Sequence, residues 1–342
     1  QRMKFRRVPL RQARGHILGH NVAHEGRRVL KKGRRISELE LEELAESGVS
    51  SVYVAELDAG DVGEDAAAER IGRALAEYGG LQLALAHGGR ASLIAPARGV
   101  LSIQSELLLE LNLIEGVTLA TPHNHELVDS GQHVGTLKII PFALPGSHVQ
   151  RALRLAERGV LGLRALQPRR VCILVSGAES RRERLLETYR PALETRLREL
   201  GSPDIHVEYV PLDQDAEATL AAAIVKHCAG GVQLLLVVGE TATMDADDLI
   251  PRAIRGAGGE VRAVGAPVFP GNLLLLAYHG AVPILGAPGC ARSRAQNVVD
   301  LLLPRLLSGE RPGQRDIAEL GLGGLLQSSS RPGAAPQGSD HD

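Results

Sequence analysis

Four apolar runs in the second half of the chain constrain its fold more than any other feature: "VCILVS" (171–176), "VQLLLVVG" (232–239), "NLLLLAYHG" (272–280) and "VPILGAP" (282–288). Each is too short for a typical helix and apolar at consecutive positions, the pattern of a strand covered on both faces. Between and around them lie "IHVEYVPL" and "EVRAVGAP", two further strand-like runs, and stretches with helical spacing. A charged helical stretch after the first strand breaks at Pro191, and "PALETRLRELG" then gives a helix with Pro in its first turn and Gly at its end. Further helices are expected over Glu217–His227, Asp247–Gly256 and Arg292–Leu307. Strands alternating with helices in this way predict an α/β fold: a three-layer α/β/α domain on a mainly parallel sheet, spanning residues 168–326.

The first 167 residues read differently, as a mixed α+β, β-rich region. "RRVLKKGRRIS" predicts a strand, a Lys-Lys-Gly turn and a second strand. Ser37 and Glu40 then have capping-box spacing at the start of a helix through Ser47. "VSSVYVAEL" is strand-like, Glu64–Tyr78 helical, and "LQLALAHG", "ASLIAPARGVLSI", "GVTLATP" and "HVGTLKIIPFALP" are short strands punctuated by Gly and Pro. "HVQRALRLAERGVLGLRALQP" reads as a connecting helix and linker, with the domain boundary near Pro168. Residues 327–342, "QSSSRPGAAPQGSDHD", are small and polar and are expected to be disordered.

Composition removes several classes of function. The chain has no Trp, three Phe and five Tyr, so its cores must be aliphatic and it lacks the stacking platforms of single-stranded nucleic-acid binders. A net charge of −1 supplies no general attraction to nucleic acid or to an anionic membrane. Cys172, Cys228 and Cys290 are too few and scattered for a disulfide framework or a cysteine zinc site. The apolar run Leu273–Ala277 is far short of the ~20 residues of a membrane helix. A soluble, cytoplasmic protein is expected, with neither nucleic acid nor membrane among its partners.

In open parallel sheets ligands bind beyond the carboxyl ends of the strands, where helix amino termini present free N–H groups. Three loops fall there: "SGAESRRER", "GETATMDADD" and "GAPGCARSR". In the acidic loop, Asp245, Asp247 and Asp248 offer hard oxygens suited to Mg²⁺ beside a phosphate, and Thr241 and Thr243 follow Gly239 as donors to the same anion. Capping explains one or two of those carboxylates equally well, with Asp245 at the N-cap. In the glycine loop, Gly286, Pro288 and Gly289 let backbone N–H groups approach an anion, Ser293 caps the following helix, and Arg292 and Arg294 offer paired donors. A plain strand-to-helix turn with surface arginines is the competing explanation. Ser176 and Gly177 are the contact candidates of the first loop, and Asn272 in the Pro270–Gly271–Asn272 turn is a weaker one. "PHNH" (122–125) lacks the further ligands of a metal site, and Cys290 has no sequence-placed histidine, so it reads as a loop filler.

Taken together, "LKIIPFALP" (137–145), "VGETATMDADDLIPRAI" (238–254), "GAPVFPGNLLLLAYHGAVPILGAPGCARS" (265–293) and "DIAELGLGGL" (316–325) resemble the molybdopterin-binding protein family. That family belongs to molybdenum cofactor biosynthesis, and its relatives include molybdenum insertases, molybdopterin adenylyltransferases and the domain fused to cofactor cytidylyltransferases. The resemblance implies a molybdopterin-binding domain that holds molybdopterin or a nucleotide adduct with Mg²⁺ or molybdate nearby. Asp245 and Asp248 would be its metal-holding, catalytic pair, with Asp247 beside them. Gly286, Pro288, Gly289 and Ser293 would form its glycine loop. Two departures stand out: Glu240 and Thr241 replace two glycines, and Asn272 replaces a Lys. Both weaken catalysis more than binding, so a nucleotidyltransferase or insertase-like transferase activity stays open. The resemblance also implies a homodimer and, as partners, a molybdoenzyme or another cofactor-synthesis protein. Two alternatives remain at this point: a nucleotide pyrophosphatase or amidase of the competence-damage type, and a non-catalytic scaffold that docks on a molybdoenzyme.

Overall fold

The structure, a computed structural model, describes residues 3–24, 27–240 and 243–326, and these divide into two compact units between Ala165 and Leu166. Thr241 and the segment 327–342 lie outside the described residues. The fold is mixed α and β in both units.

In the amino unit every strand pairing is antiparallel among the described residues. Strand Ser51–Glu56 lies between Lys4–Pro9 and Ile17–Leu18. The helix Glu38–Glu46 begins with the expected capping box: Ser37 N–H donates to Glu40 Oε2 at 2.8 Å and Glu40 N–H to Ser37 Oγ at 3.4 Å. These elements enclose a small core of Val8, Leu18, Ile36, Leu44 and Val54. A larger core forms around the helix Glu64–Gly79, whose Ala67, Ile71 and Leu75 pack with Leu93, Leu101 and Leu137 from the surrounding strands. Three expectations need correction here. "RRVLKKGRRIS" gives one strand, Arg27–Leu30, and its second half only an isolated bridge of Arg35 to Ile17. "SELLLELN", within a region read as short strands, is a helix, Ser105–Asn112, because Leu107 and Leu111 recur at helical spacing onto the core. The expected linker contains a strand, Leu161–Ala165, hydrogen-bonded to Gly99–Ile103.

The carboxyl unit is built on one six-stranded sheet. Its strands are β1 (Val171–Gly177), β2 (Ile205–Pro211), β3 (Leu234–Gly239), β4 (Glu260–Val264), β5 (Leu275–His279) and β6 (Val282–Gly286), in the order β2-β1-β3-β6-β5-β4. The pairs β2–β1, β1–β3 and β3–β6 are parallel; β6–β5 and β5–β4 are antiparallel. The Gly280–Ala281 connection between β5 and β6 is too short for a parallel crossover, which requires a dozen or more residues. Alternate residues of β1 and β3 enter two separate cores. Val171, Ile173, Val175, Leu234, Leu236 and Val238 meet helices α1 (Arg182–Glu199) and α4 (Val298–Leu307). Cys172, Leu174, Leu235 and Val237 meet α2 (Ala216–Ala229) and α3 (Leu249–Gly256).

Helix α1 does not break at Pro191. An internal proline costs roughly 3 kcal/mol of helix stability, whereas each fully buried leucine contributes about 1.5–3 kcal/mol. Leu193 and Leu197 are fully buried on the sheet beside Tyr189, so packing outweighs the missing N–H. The last expected helix also starts late: a short 3-10 turn covers Gly289–Arg292, and α4 begins only at Val298. Its cap is Asn297, whose Oδ1 accepts from Val299 N–H at 3.0 Å while Asp300 Oδ2 accepts from Asn297 N–H at 2.9 Å. Ser293 therefore does not cap α4. Beyond a final short helix α5 (Gln314–Glu319), Phe269 and Leu325 form a parallel bridge, tying the end of the described chain to the Pro270 turn.

Candidate functional site

The carboxyl ends of β1, β3 and β6 carry the loops singled out in the sequence. At the end of β1, Ser176 is fully buried and its Oγ faces Val238 O at 3.4 Å. Gly239, its neighbour on β3, is glycine for a packing reason: a Cβ there would lie 2.1 Å from the Ser176 carbonyl oxygen. Gly177 and Gly286 are similarly enclosed, by Leu185 at 2.3 Å and by Leu275 at 2.7 Å from a hypothetical Cβ. Close strand packing thus accounts for Gly239 and Gly286, and the side chain of Leu185 on α1 crowds Gly177, so these glycines that the sequence offered as ligand contacts have packing reasons of their own.

Glu240 links the first two loops. Its Oε2 accepts from Ala178 N–H at 2.9 Å, its Oε1 lies 2.9 Å from Arg181, and its own N–H donates to Ser176 O at 2.9 Å. Tyr209 completes the contact by donating to Ala178 O at 2.7 Å, with Arg182 stacked 4.7 Å from its ring centre. Tyr189 reaches the third loop. Its hydroxyl donates to Gly239 O at 3.2 Å and lies 4.0 Å from where a Cβ on Gly289 would sit. Burial pushes the Tyr189 phenol above its ordinary value, with Cys290 adding to that shift and the Arg292 guanidinium opposing it.

The acidic loop folds on itself. Asp248 Oδ2 accepts from the backbone N–H of Met244 at 2.6 Å and of Asp245 at 2.9 Å. Asp245 Oδ1 accepts from Asp247 N–H at 2.8 Å, and the exposed Asp247 lies 3.4 Å from Arg255. Asp248, not Asp245, occupies the N-cap position of α3, and its side chain makes no cap bond there. Among the described residues the three carboxylates do not form a group with every ligand atom within 4.8 Å of the others. Asp245 Oδ2 and Asp248 Oδ1 accept no hydrogen bond within the described residues. Mg²⁺ is commonly held by only one or two carboxylates with waters completing its shell, so these two oxygens are the ones that could serve as ligands. Thr243 is buried in the same loop.

Sequence reasoning missed the residue that shapes the glycine loop. Arg196, on α1 and only 5% exposed, donates to the carbonyls of Ala291 (3.1 Å), Ser293 (2.7 Å) and Ala295 (3.1 Å) and pairs with Asp300 at 2.7 Å. Nothing in a helix of alternating Arg and Glu distinguishes it beforehand except its spacing onto the Leu193–Leu197 face. Ser293 Oγ accepts from Ala295 N–H at 3.1 Å, Arg294 pairs with Glu199 at 2.8 Å, and Arg292 is exposed at the end of the 3-10 turn that follows Pro288. Burial raises the Cys290 thiol above its ordinary value, which disfavours a thiolate nucleophile. Asn272 is exposed and offers its backbone carbonyl to Ala266 N–H at 2.9 Å. His123 and His125 belong to no group of three metal-type ligands among the described residues.

Comparison with known proteins gives one partial family match: residues 7–56 fit a family described as Domain of unknown function (DUF8806). No curated protein matches. Among solved structures, a molybdopterin biosynthesis MoeA protein from Pyrococcus horikosii is similar at 14% identity, over 90% of this chain and 75% of that one, with a TM-score of 0.31. A molybdopterin biosynthesis protein from Mycobacterium abscessus is similar at 13% identity, over 41% of this chain and 90% of that one, with a TM-score of 0.27. A NadC deletion mutant gives 16% identity, 59% and 82% coverage, and a TM-score of 0.18. No helix among the described residues is long and apolar enough to cross a membrane.

Proposed function

We propose that the carboxyl unit is a three-layer molybdopterin-binding domain that takes molybdopterin or its nucleotide adduct, in the synthesis or handover of the molybdenum cofactor. The carrying observation is the meeting of three strand-end loops. Glu240 joins the β1 and β3 loops, and Tyr189 joins β3 to the glycine loop. The sequence blocks that resemble the molybdopterin-binding family supply the ligand class; the low-scoring structural likenesses add no weight.

In this reading the exposed Arg292 and the loop N–H groups neutralise the ligand phosphate, and Asp245 and Asp248 hold Mg²⁺ through their unshared oxygens. Binding is the activity assigned. A homodimer and delivery to a molybdoenzyme or another cofactor-synthesis protein belong to the same proposal. The experiment is a titration of the full chain with molybdopterin, with and without Mg²⁺. Asp248→Asn is the informative variant, because it removes the charge while keeping an acceptor for the two loop N–H groups. Saturable binding that weakens in Asp245→Ala, Asp248→Asn and Arg292→Ala is expected. No saturation, or affinity unchanged across the three variants, refutes the proposal.

A further inference from the structure

A second cluster of ligand-type side chains lies on the outermost strand of the carboxyl sheet. His206 and Glu208 are two residues apart on β2 and so share one face of the strand. The last turn of α2 brings His227 to the same place. His227 Nε2 lies 2.8 Å and His206 Nε2 3.8 Å from the same atom, Glu208 Oε2, and the two imidazole rings are 5.3 Å apart. All three residues offer ligand atoms within 4.8 Å of one another, and among the described residues no other group of three does so.

We propose that His206, Glu208 and His227 form a binding site for a divalent transition-metal ion of the zinc class. The donor set selects the metal: two imidazoles with one carboxylate suit zinc and its first-row neighbours, not magnesium or calcium. The spacing agrees as well. Tetrahedral zinc with bonds of about 2.0–2.1 Å separates neighbouring ligand atoms by about 3.3 Å. That separation falls between the two distances to Glu208 Oε2, 2.8 and 3.8 Å, and all three ligand atoms already lie within 4.8 Å of one another. Three protein ligands leave a fourth position, and the His206 side chain, 59% exposed, leaves that side open to water or a small ligand. The site is distinct from the strand-end loops. His206 pairs with Cys172 five residues before the Gly177–Pro211 pair that closes β1 and β2, which is about 16 Å at ~3.3 Å per residue.

Lys226 supplies the discriminating test. Its ammonium sits 2.8 Å from Glu208 Oε2 and would compete with an ion for that carboxylate. Its side chain is 65% exposed on a flexible stem, so it moves into solvent when the ion enters. If the cluster is a metal site, removing Lys226 strengthens metal binding; if it is only a knot of ion pairs, metal affinity does not respond. The experiment is titration of the full-length, tag-free chain with Zn²⁺, and with Co²⁺ as a spectroscopic probe of coordination. One equivalent should bind, with the visible bands of a four- or five-coordinate cobalt site. His206→Ala changes an exposed residue and should fold normally, yet it should weaken binding by about 100-fold or more, since even outer-shell partners are worth roughly 10–100-fold. Lys226→Gln should tighten binding several-fold. Absence of stoichiometric binding, or equal affinity in the native chain, His206→Ala and Glu208→Gln, overturns the proposal.

Discussion

Arg196 carries more of the candidate site's geometry than any residue expected to touch ligand. It is buried, and its guanidinium collects three loop carbonyls and the Asp300 carboxylate. Breaking a buried pair by removing one partner costs about 3–5 kcal/mol, because the remaining charge and carbonyls are left unsatisfied. Arg196→Met should therefore lower unfolding stability by about that amount, measured by chemical denaturation; a loss below about 1 kcal/mol would show that water replaces the contacts. Glu240 makes the opposite prediction. Its carboxylate holds Ala178 N–H and Arg181, groups that an incoming phosphate would otherwise use. Glu240→Gln should tighten binding of inorganic phosphate or a phosphate-bearing ligand at this rim, as read by calorimetry. Unchanged or weaker binding would show that the anion sits elsewhere. Cys290 should resist alkylation at neutral pH, since burial keeps its thiol protonated. Rapid modification of this cysteine in the folded chain would contradict that.

Elements separate what local sequence specifies from what packing imposes. The capping box at Ser37 and Glu40, the helix at Glu64–Gly79 and the apolar strands β1, β3, β5 and β6 were legible, because each follows from short-range spacing. The unbroken α1 was not, since Pro191 is a breaker locally and only the buried leucines on the sheet overrule it. The late start of α4 was hidden for a related reason: residues 293–296 have helical composition, but Arg196 takes the carbonyls of Ser293 and Ala295. Around the candidate site, glycine composition was visible while its meaning was not. The Ser176 carbonyl against Gly239 is a contact between distant segments that no single segment reveals. The cap at Asn297 gives an element-scale prediction. Asn297→Ala removes an acceptor from the amino end of α4 and should cost about 0.5–2 kcal/mol, measured as a shift in denaturation midpoint. No shift would mean that burial alone fixes the start of the helix.

At the scale of the molecule, acid should destabilise both units. In the carboxyl unit, burial works against ionisation of Glu194, yet Arg190 and Arg198 hold its carboxyl below the ordinary value; for Asp316, burial is likewise outweighed by Gly313 N–H and Arg305. In the amino unit the Ser37 N–H lowers Glu40. A carboxyl group whose folded value is depressed stabilises the fold above its unfolded value and loses that contribution as pH falls through the folded one. Unfolding midpoints should therefore drop as pH falls below the ordinary carboxylate values of 4.5 for Glu and 3.8 for Asp. Glu64 runs the other way: burial raises it, so its contribution is present at low pH and lost as pH rises through its folded value. Glu64→Gln should consequently raise stability at neutral pH; a midpoint that stays flat from neutral to acid, or a Glu64→Gln variant that is weaker at pH 7, would contradict this assignment.

The two outer strands of the carboxyl sheet have one more consequence. At one margin, Glu260 and Arg262 place charges on a five-residue strand whose register slips between Val261 and Ala263; at the other, β2 presents His206 and Glu208. Charged borders of this kind, one of them also irregular, discourage the addition of a foreign strand. Growth of this sheet by recruiting its own copies, the usual first step toward fibrils, is thereby disfavoured at both ends.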